Sequence, residues 1–287
     1  MGRTRDARRV AVSGALTPGR DSLLGHRPER ERCSLGSAAD AGLPRDTDAG
    51  AHNPPRTAAQ GNPMPTATRP TRLAVLISGG GSNLRALLDA IAADAGFGGE
   101  VVVVGADRAD ATGLDHAQAA GVPVVVEELA RGADAAGRGA WEQRLAEGVA
   151  AHDPDVVVLA GFMRILSGGF LDRWPDRVVN THPSLLPAFR GAHAVRAAIE
   201  HGVKVTGCTV HLVDEEVDHG PILAQEAVPV LPGDTEVALH ERIKAVEHRL
   251  LPACVRALCH DRVRLVGRHA QVDLVPEQPT TRQELQP

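Results

Sequence analysis

The chain has 287 residues, 43% of them apolar, enough to bury one substantial core as a single large domain or two small ones. A formal charge of −5 gives no field that would draw in nucleic acid or an anionic membrane, and no apolar run is long enough to span a bilayer. Cys33, Cys208, Cys254 and Cys259 have neither metal-ligand nor disulfide-framework spacing, and the 13 histidines form no His-x-Glu signature, so the chain reads as cytoplasmic, with free thiols and no metal.

Residues 1–63 are Arg-rich and punctuated by Gly, Ser and Pro, and the first aromatic residue of the chain is Phe97. Such a segment cannot bury enough surface to offset its ordering entropy, which predicts a disordered extension over residues 1–70. Interspersed Asp and Glu argue against a basic arm for nucleic acid, and the faint likeness to a targeting peptide lacks an apolar core. A start assigned upstream of a true one at Met64 and a genuine extension with a targeting or docking role would give the same appearance. A chain beginning at Met64 is expected to fold and turn over as the full chain does.

Leu73–Ile77 is a short apolar run that ends in Ser78-Gly79-Gly80-Gly81-Ser82-Asn83 and passes into Leu84, Leu87, Leu88 and Ile91 at helical spacing. Strand, glycine turn and helix are therefore expected in succession. Such a turn brings backbone N–H groups and a helix N-terminus to an anion, with Ser82 and Asn83 suited to capping the helix or binding a phosphate oxygen. The third glycine of the dinucleotide fingerprint is missing, Leu84 standing in its place, and no Gly-Lys-Ser/Thr follows. A small phosphorylated substrate is the better fit.

Further strands are expected at 100–105, 122–126, 156–160 and 178–180, separated by helices near 83–95, 112–120, 141–152 and 166–174. This alternation predicts an α/β fold: a doubly wound, mostly parallel sheet with helices on both faces and a site where strand C-termini meet. A segment at 194–201, extended runs at 204–213 and 222–230, a long helix over 235–260 and an edge strand at 262–266 complete a domain of residues 71–267. Residues 268–287 read as a loose tail.

Asn180 and His182 lie where the strand at 178–180 gives way to a Pro-bounded loop, Pro183-Ser184-Leu185-Leu186-Pro187. An amide donor and an imidazole two residues apart can serve one reacting carbon, the first binding a developing oxyanion and the second moving a proton. Asp218, in Val217-Asp218-His219-Gly220-Pro221, would orient that imidazole and favour its charged form. This equips acyl transfer without a Ser or Cys nucleophile. A turn Asn and a half-buried His are the plainer reading of either residue alone.

Four motifs in this order resemble those of the folate-dependent glycinamide ribonucleotide formyltransferase family, over about residues 72–267. They are Ile77 to Leu84, Pro154 to Leu166 with its Gly161-Phe162-Met163-Arg164-Ile165-Leu166 ending, Asn180 to Pro187, and Asp218 to Pro221. The resemblance implies a Rossmann-like formyltransferase fold and transfer of a formyl group from 10-formyltetrahydrofolate to the amine of 5-phosphoribosylglycinamide, without a metal. It also implies a monomer or homodimer, partnered by small molecules rather than by nucleic acid or membrane. Asn180, His182 and Asp218 match its catalytic residues; Gly81, Ser82 and Asn83 its phosphate turn; and Glu247 its ribose ligand, with Lys244 one helical turn earlier toward the phosphate. Its folate contacts fall on Arg138, Met163, Arg164, Ile165, Leu166 and Asn180. Glu247 reads equally as a solvated helix carboxylate, Arg138 as a surface residue, and Met163, Ile165 and Leu166 as ordinary core.

The chain departs from the family at His219, where a glycine is expected and a positive φ would be poorly tolerated, and at Phe189-Arg190-Gly191, where Pro-Gly is more typical. Thr209 keeps a hydroxyl near the site, and His211 is expected to be structural. Methionyl-tRNA formyltransferase shares the triad but needs a C-terminal domain for which too little chain remains. Formyltetrahydrofolate hydrolase needs an N-terminal regulatory domain whose strands residues 1–70 lack. A non-catalytic phosphosugar- or folate-binding protein is disfavoured by the intact triad, and a nicotinamide enzyme by the defective glycine fingerprint.

Overall fold

A computed structural model describes residues 69–274. The expectations for residues 1–63, and for the end of the chain after 274, lie outside the described residues.

The elements run β1 (Thr71–Ile77), α1 (Ser82–Ala93), β2 (Gly99–Ala106), α2 (Leu114–Ala119), β3 (Val124–Val126), α3 (Ala135–Ala150), β4 (Val156–Leu159), α4 (Gly168–Leu171), β5 (Val178–His182), α5 (Ala194–Glu200), β6 (Val205–Leu212), β7 (Ile222–Pro229), α6 (Glu236–Cys259), β8 (Val263–Val266) and β9 (His269–Val272). Seven strands form one sheet in the order β3-β2-β1-β4-β5-β6-β7. The first five are parallel, while β5–β6 and β6–β7 pair antiparallel. The fold is thus the mostly parallel, doubly wound sheet that the alternating pattern predicts.

β1 is central because it is apolar on both faces. Leu73, Val75 and Ile77 enter a core shared with Leu84 and Leu87 of α1 and Leu239, Ile243 and Leu251 of α6. Ala74 and Leu76 enter the opposite core with Trp141, Leu145 and Val149 of α3 and Phe170 of α4. Successive side chains of a strand point to opposite faces, so one continuous apolar run feeds two cores, each large buried side chain contributing about 1.5–3 kcal/mol. The chain winds outward from β1 through β2 to β3, then crosses back to place β4 on the other side of β1. The C-terminal ends of β1 and β4 therefore flank a topological switch point, where a ligand crevice opens. Among the described residues no helix is long and apolar enough to cross a membrane.

Three local expectations need correction. α3 begins at Ala135, six residues before Trp141, because the Asp134 side chain accepts the Gly137 N–H at 2.8 Å and caps a first turn that the glycines disguise. β5 runs on to His182, because β6 pairs with it to the end, His182 opposite Thr209. The strand expected at the sheet edge, β8, instead pairs with β9, so residues 269–272 are half of a hairpin rather than the start of a loose tail. Val263, Leu265, Ala270 and Val272 face inward and pack against the α1/α6 core, which seats the hairpin.

Candidate active site

β5 carries Asn180 and His182 on one face, two residues apart. The antiparallel register of β6 sets His211 directly opposite Asn180, where its Nε2 lies 3.3 Å from Asn180 Nδ2. His211 Nδ1 donates to the Leu212 carbonyl at 2.8 Å, so Nε2 of the neutral ring is the acceptor for the amide. Asp218, on the loop between β6 and β7, approaches both imidazoles: Oδ2 is 3.3 Å from His182 Nδ1, and Oδ1 is 3.7 Å from His211 Nε2. The three residues singled out in the sequence are brought together, and His211, expected to be structural, is a fourth member in contact with two of them. The register of two strands 31 residues apart creates that contact, and nothing local to His211 signals it.

The loop after β5 is held onto this cluster. The Gly191 N–H donates to Asp218 Oδ2 at 2.7 Å, and the Phe189 carbonyl accepts from His182 Nε2 at 2.8 Å. Thr209 supplies the hydroxyl expected of it: Oγ1 donates to the Ser184 carbonyl at 2.7 Å and accepts the Leu186 N–H at 3.1 Å, which fixes the start of the loop.

Both nitrogens of His182 face oxygen acceptors, an arrangement complete only in the doubly protonated ring. Burial opposes it and carries the pKa below the ordinary histidine value, with the Asp218 charge and the Phe189 carbonyl offsetting part of the cost. The expectation that Asp218 holds His182 charged at rest is corrected accordingly: desolvation of a ring that is 5% exposed outweighs the carboxylate. Burial also pushes the Asp218 carboxyl upward, but the adjacent His211 imidazole, the Gly191 N–H and His182 overcome it and leave the pKa below the usual range.

The positive φ anticipated at His219 falls one residue earlier, on Asp218 at 50°. Phe189 is also left-handed, at φ 53°, which aims its carbonyl at His182 without the expected Pro-Gly.

At the end of β1 the glycine turn enters α1 with Gly81 as N-cap, at φ 64°, and no side chain caps the helix. Ser82 and Asn83, expected as caps, are its first two residues. The leading N–H groups of α1 therefore lack the side-chain acceptor that most helices provide. Asn83 is buried and gives Nδ2 to Glu247 Oε2 at 3.0 Å, leaving Oδ1 buried without a protein partner. Glu247, only 5% exposed, is no solvated helix carboxylate; α6 presents it to the glycine turn. Lys244, one turn earlier, pairs with Glu241 at 2.7 Å.

A cavity of about 570 Å³ opens beside the turn, lined by Gly80, Ser82, Arg85, Ala86, Asp89, His116 and His248. Arg85, His116 and His248 escaped the sequence reading, although Arg85 lies on the first turn of α1 and His248 adjoins Glu247. His248 Nε2 is buried without a partner, and burial lowers its pKa despite the neighbouring Glu247.

The segment after β4 spans the crevice. The Met163 N–H donates to Ser78 Oγ at 2.8 Å, and Arg164 pairs with buried Asp107 at 2.5 Å, tying the ends of β1, β2 and β4 together. Met163 and Ile165 are 70% and 75% exposed and so are not core, whereas Leu166 is core. Arg138 lies exposed on α3, its guanidinium donating to the Ala133 carbonyl; no hydrogen bond or ion pair joins it to the triad.

An amide, an imidazole and a carboxylate gathered at one edge of such a sheet suit group transfer without a side-chain nucleophile. Residues 71–255, well over half of the chain, match the formyl transferase family, and the chain belongs to it. It is 54% identical over 201 residues to the phosphoribosylglycinamide formyltransferase of Mycobacterium tuberculosis, a match covering 70% of this chain and 91% of that protein. Among solved structures, glycinamide ribonucleotide transformylase 1 from Symbiobacterium toebii superposes with a TM-score of 0.68 at 45% identity, over 75% of this chain and 99% of that one. A formyltetrahydrofolate deformylase from Pseudomonas syringae superposes with a TM-score of 0.65 at 27% identity, over 71% and 66%.

Proposed function

We propose that the chain transfers the formyl group of 10-formyltetrahydrofolate to the amine of 5-phosphoribosylglycinamide. The carrying observation is that Glu247, which Asn83 ties to the uncapped start of α1, lies close enough for its charge to act on His182 of the Asn180, His182 and Asp218 cluster. The α1 N-terminus at Gly81, Ser82 and Asn83 takes the phosphate. Glu247 accepts from ribose hydroxyls, and Lys244 swings from Glu241 toward the phosphate. The exposed apolar side chains of Met163 and Ile165 cover the folate ring, while the backbone of 163–166 reads its polar edge and Arg138 meets its acidic tail.

The neutral amine attacks the formyl carbon, and Asn180 Nδ2, with one hydrogen held by His211, gives the other to the oxyanion. Asp218 takes up the amine proton through water. His182, protonated within the complex, turns its Nε2–H from the Phe189 carbonyl and delivers that proton to the folate nitrogen as the carbon–nitrogen bond to folate breaks. Bringing the two molecules together supplies a large share of the acceleration, up to roughly 7–11 kcal/mol in favourable systems.

The test supplies the purified protein with 10-formyltetrahydrofolate and either phosphoribosylglycinamide or water as acceptor, following folate release and formyl product separately. Folate release that depends on the phosphoribosylglycinamide amine and matches formyl product is expected. Equal release with water alone would assign the chain to hydrolysis instead.

A further inference from the structure

The β8–β9 hairpin lies beyond residue 255, where the match to the family ends. Its turn, Gly267-Arg268, is exposed, but the Arg268 side chain folds back onto the domain. The Arg268 guanidinium reaches the loop that carries Asp218 and grips the residue after it twice, Nη2 donating to the His219 carbonyl and Nη1 to His219 Nε2. On its other side the His219 ring donates from Nδ1 to Asp214 Oδ2 at 2.7 Å. A ring that gives one nitrogen to a carboxylate and receives a guanidinium N–H on the other is the neutral Nδ1–H tautomer. Among the described residues the charged groups facing it are Asp214, Glu216 (3.9 Å from Nε2) and Arg268.

This grip falls where the backbone needs holding. Asp218, at φ 50°, occupies a region that residues with a side chain adopt only when their surroundings impose it. Two residues on, a Cβ added to Gly220 would lie 2.0 Å from the Leu212 carbonyl, so the loop is pressed against the end of β6 there. His219 lies between the strained residue and the pinned one, and the bond to its carbonyl fixes the plane of the His219–Gly220 peptide, immediately after the strained residue's neighbour. Among the described residues the carboxylate itself is restrained by the Gly191 N–H and the two imidazoles.

We infer that Arg268 and His219 are positioning residues: the hairpin is a clamp that holds the Asp218 loop in its strained form, keeping the carboxylate against His182 and His211. The inference rests on the reading of Asp218 as a participant in formyl transfer. Among the described residues, the start of what reads from the sequence as a tail then bears on the Asp218 loop through Arg268.

The test compares Arg268→Ala, Arg268→Lys and Asp218→Asn in the full chain, measuring kcat, KM for each substrate, the pH profile of kcat and thermal unfolding. Arg268→Ala is expected to lower kcat between about 10- and 100-fold, the scale of a misplaced catalytic group, with KM for phosphoribosylglycinamide within about two-fold of wild type. Its acid limb is expected to move to higher pH as Asp218 loses the imidazoles that favour its ionised form. Arg268→Lys, able to reach one of the two acceptors, is expected to recover part of the rate. Wild-type kcat and pH profile in Arg268→Ala would overturn the inference. So would a rate loss that merely follows a loss of folded protein, with the acid limb unmoved. Asp218→Asn separates the two levels: near wild-type turnover in that variant would sink the functional reading itself, whereas a dead Asp218→Asn beside a normal Arg268→Ala would remove only the clamp.

Discussion

Gly80 and Gly81 are adjacent in the turn but answer different questions when substituted. Gly80 is exposed, lines the cavity, and has nothing within 4 Å of an added Cβ, so a side chain there grows only into the space the ligand would occupy. Gly81 has φ 64°, and a Cβ there would sit 2.7 Å from the Cα of Gly113, whose N–H bonds to the Gly79 carbonyl at 2.9 Å. Gly81→Val therefore combines left-handed strain of about 1–2 kcal/mol with a backbone collision, together roughly 2–4 kcal/mol, and should lower Tm by roughly 5–15 °C in a domain of this size. Gly80→Val should leave Tm within about 2 °C. By denying the phosphate at least one charge-assisted hydrogen bond, worth about 1.5–3 kcal/mol, it should weaken phosphoribosylglycinamide roughly 10- to 150-fold. Calorimetry with phosphoribosylglycinamide and with a folate lacking a transferable formyl group, beside thermal unfolding, separates the effects: the Gly80 variant should lose only the first ligand. Wild-type phosphoribosylglycinamide affinity in Gly80→Val would refute the phosphate assignment, and an unchanged Tm in Gly81→Val would refute the packing argument.

Asn180→Ala, His182→Ala and Asp218→Asn should each lower kcat at least ~100-fold with much smaller changes in substrate affinity, and near wild-type turnover in folded His182→Ala would remove its role. His211→Phe keeps an aromatic ring, somewhat larger than the imidazole, but takes away the acceptor for Asn180 and a partner of Asp218; kcat is expected to fall about 10-fold or more, and an unchanged rate would return His211 to a purely structural role. Burial pushes the Cys208, Cys254 and Cys259 thiols up to about 12, so in a Cys33→Ser background all three should resist a thiol reagent until the protein is unfolded. The unfolded thiols ionise near ~8.5, so this contribution is fully present below that pH and lost as pH rises toward the folded value; unfolding midpoints that hold steady from pH 8 to 10.5 would contradict it.

The sheet was legible because its central strands are buried on both faces: Leu73–Ile77 and Val156–Leu159 had to be apolar without interruption, and that pattern needs no knowledge of partners. Asn180 and His182 were legible as a pair because residues two apart on a strand share a face. Contacts made over distance left no such trace. Asn83 suited an N-cap on local grounds, but Glu247, 164 residues later, takes its amide and Gly81 takes the cap position. His219 drew attention for its Cβ, yet the positive φ belongs to Asp218, because the loop is set by Leu212, Gly191 and Arg268 rather than by its own composition. β8 was legible as a last strand, but β9 and its pairing with β8 escaped, because four residues that alternate with exposed polar side chains resemble a solvated tail until the main core is there to receive the inward face.

The site's polar geometry depends on which groups donate, and this constrains how its members can act. His211 spends its Nδ1–H on the Leu212 carbonyl, so while neutral it can only accept from Asn180, and the amide is held with Nδ2 toward the ring. A charged His211 would carry an N–H on that same nitrogen, could no longer accept from the amide, and would turn to Asp218 Oδ1. The same carboxylate would then face two cations if His182 were also protonated, and would lose basicity as it gained them. Orientation of the oxyanion donor and strength of the base thus fall together when His211 takes a proton. Formyl transfer through this cluster, as proposed, therefore asks different work of the two rings. His211 meets the Leu212 carbonyl and the Asn180 amide N–H, the set that suits a ring holding the amide. Both nitrogens of His182 meet oxygen acceptors, so the proton that burial withholds from it at rest is the one the bound complex has to supply.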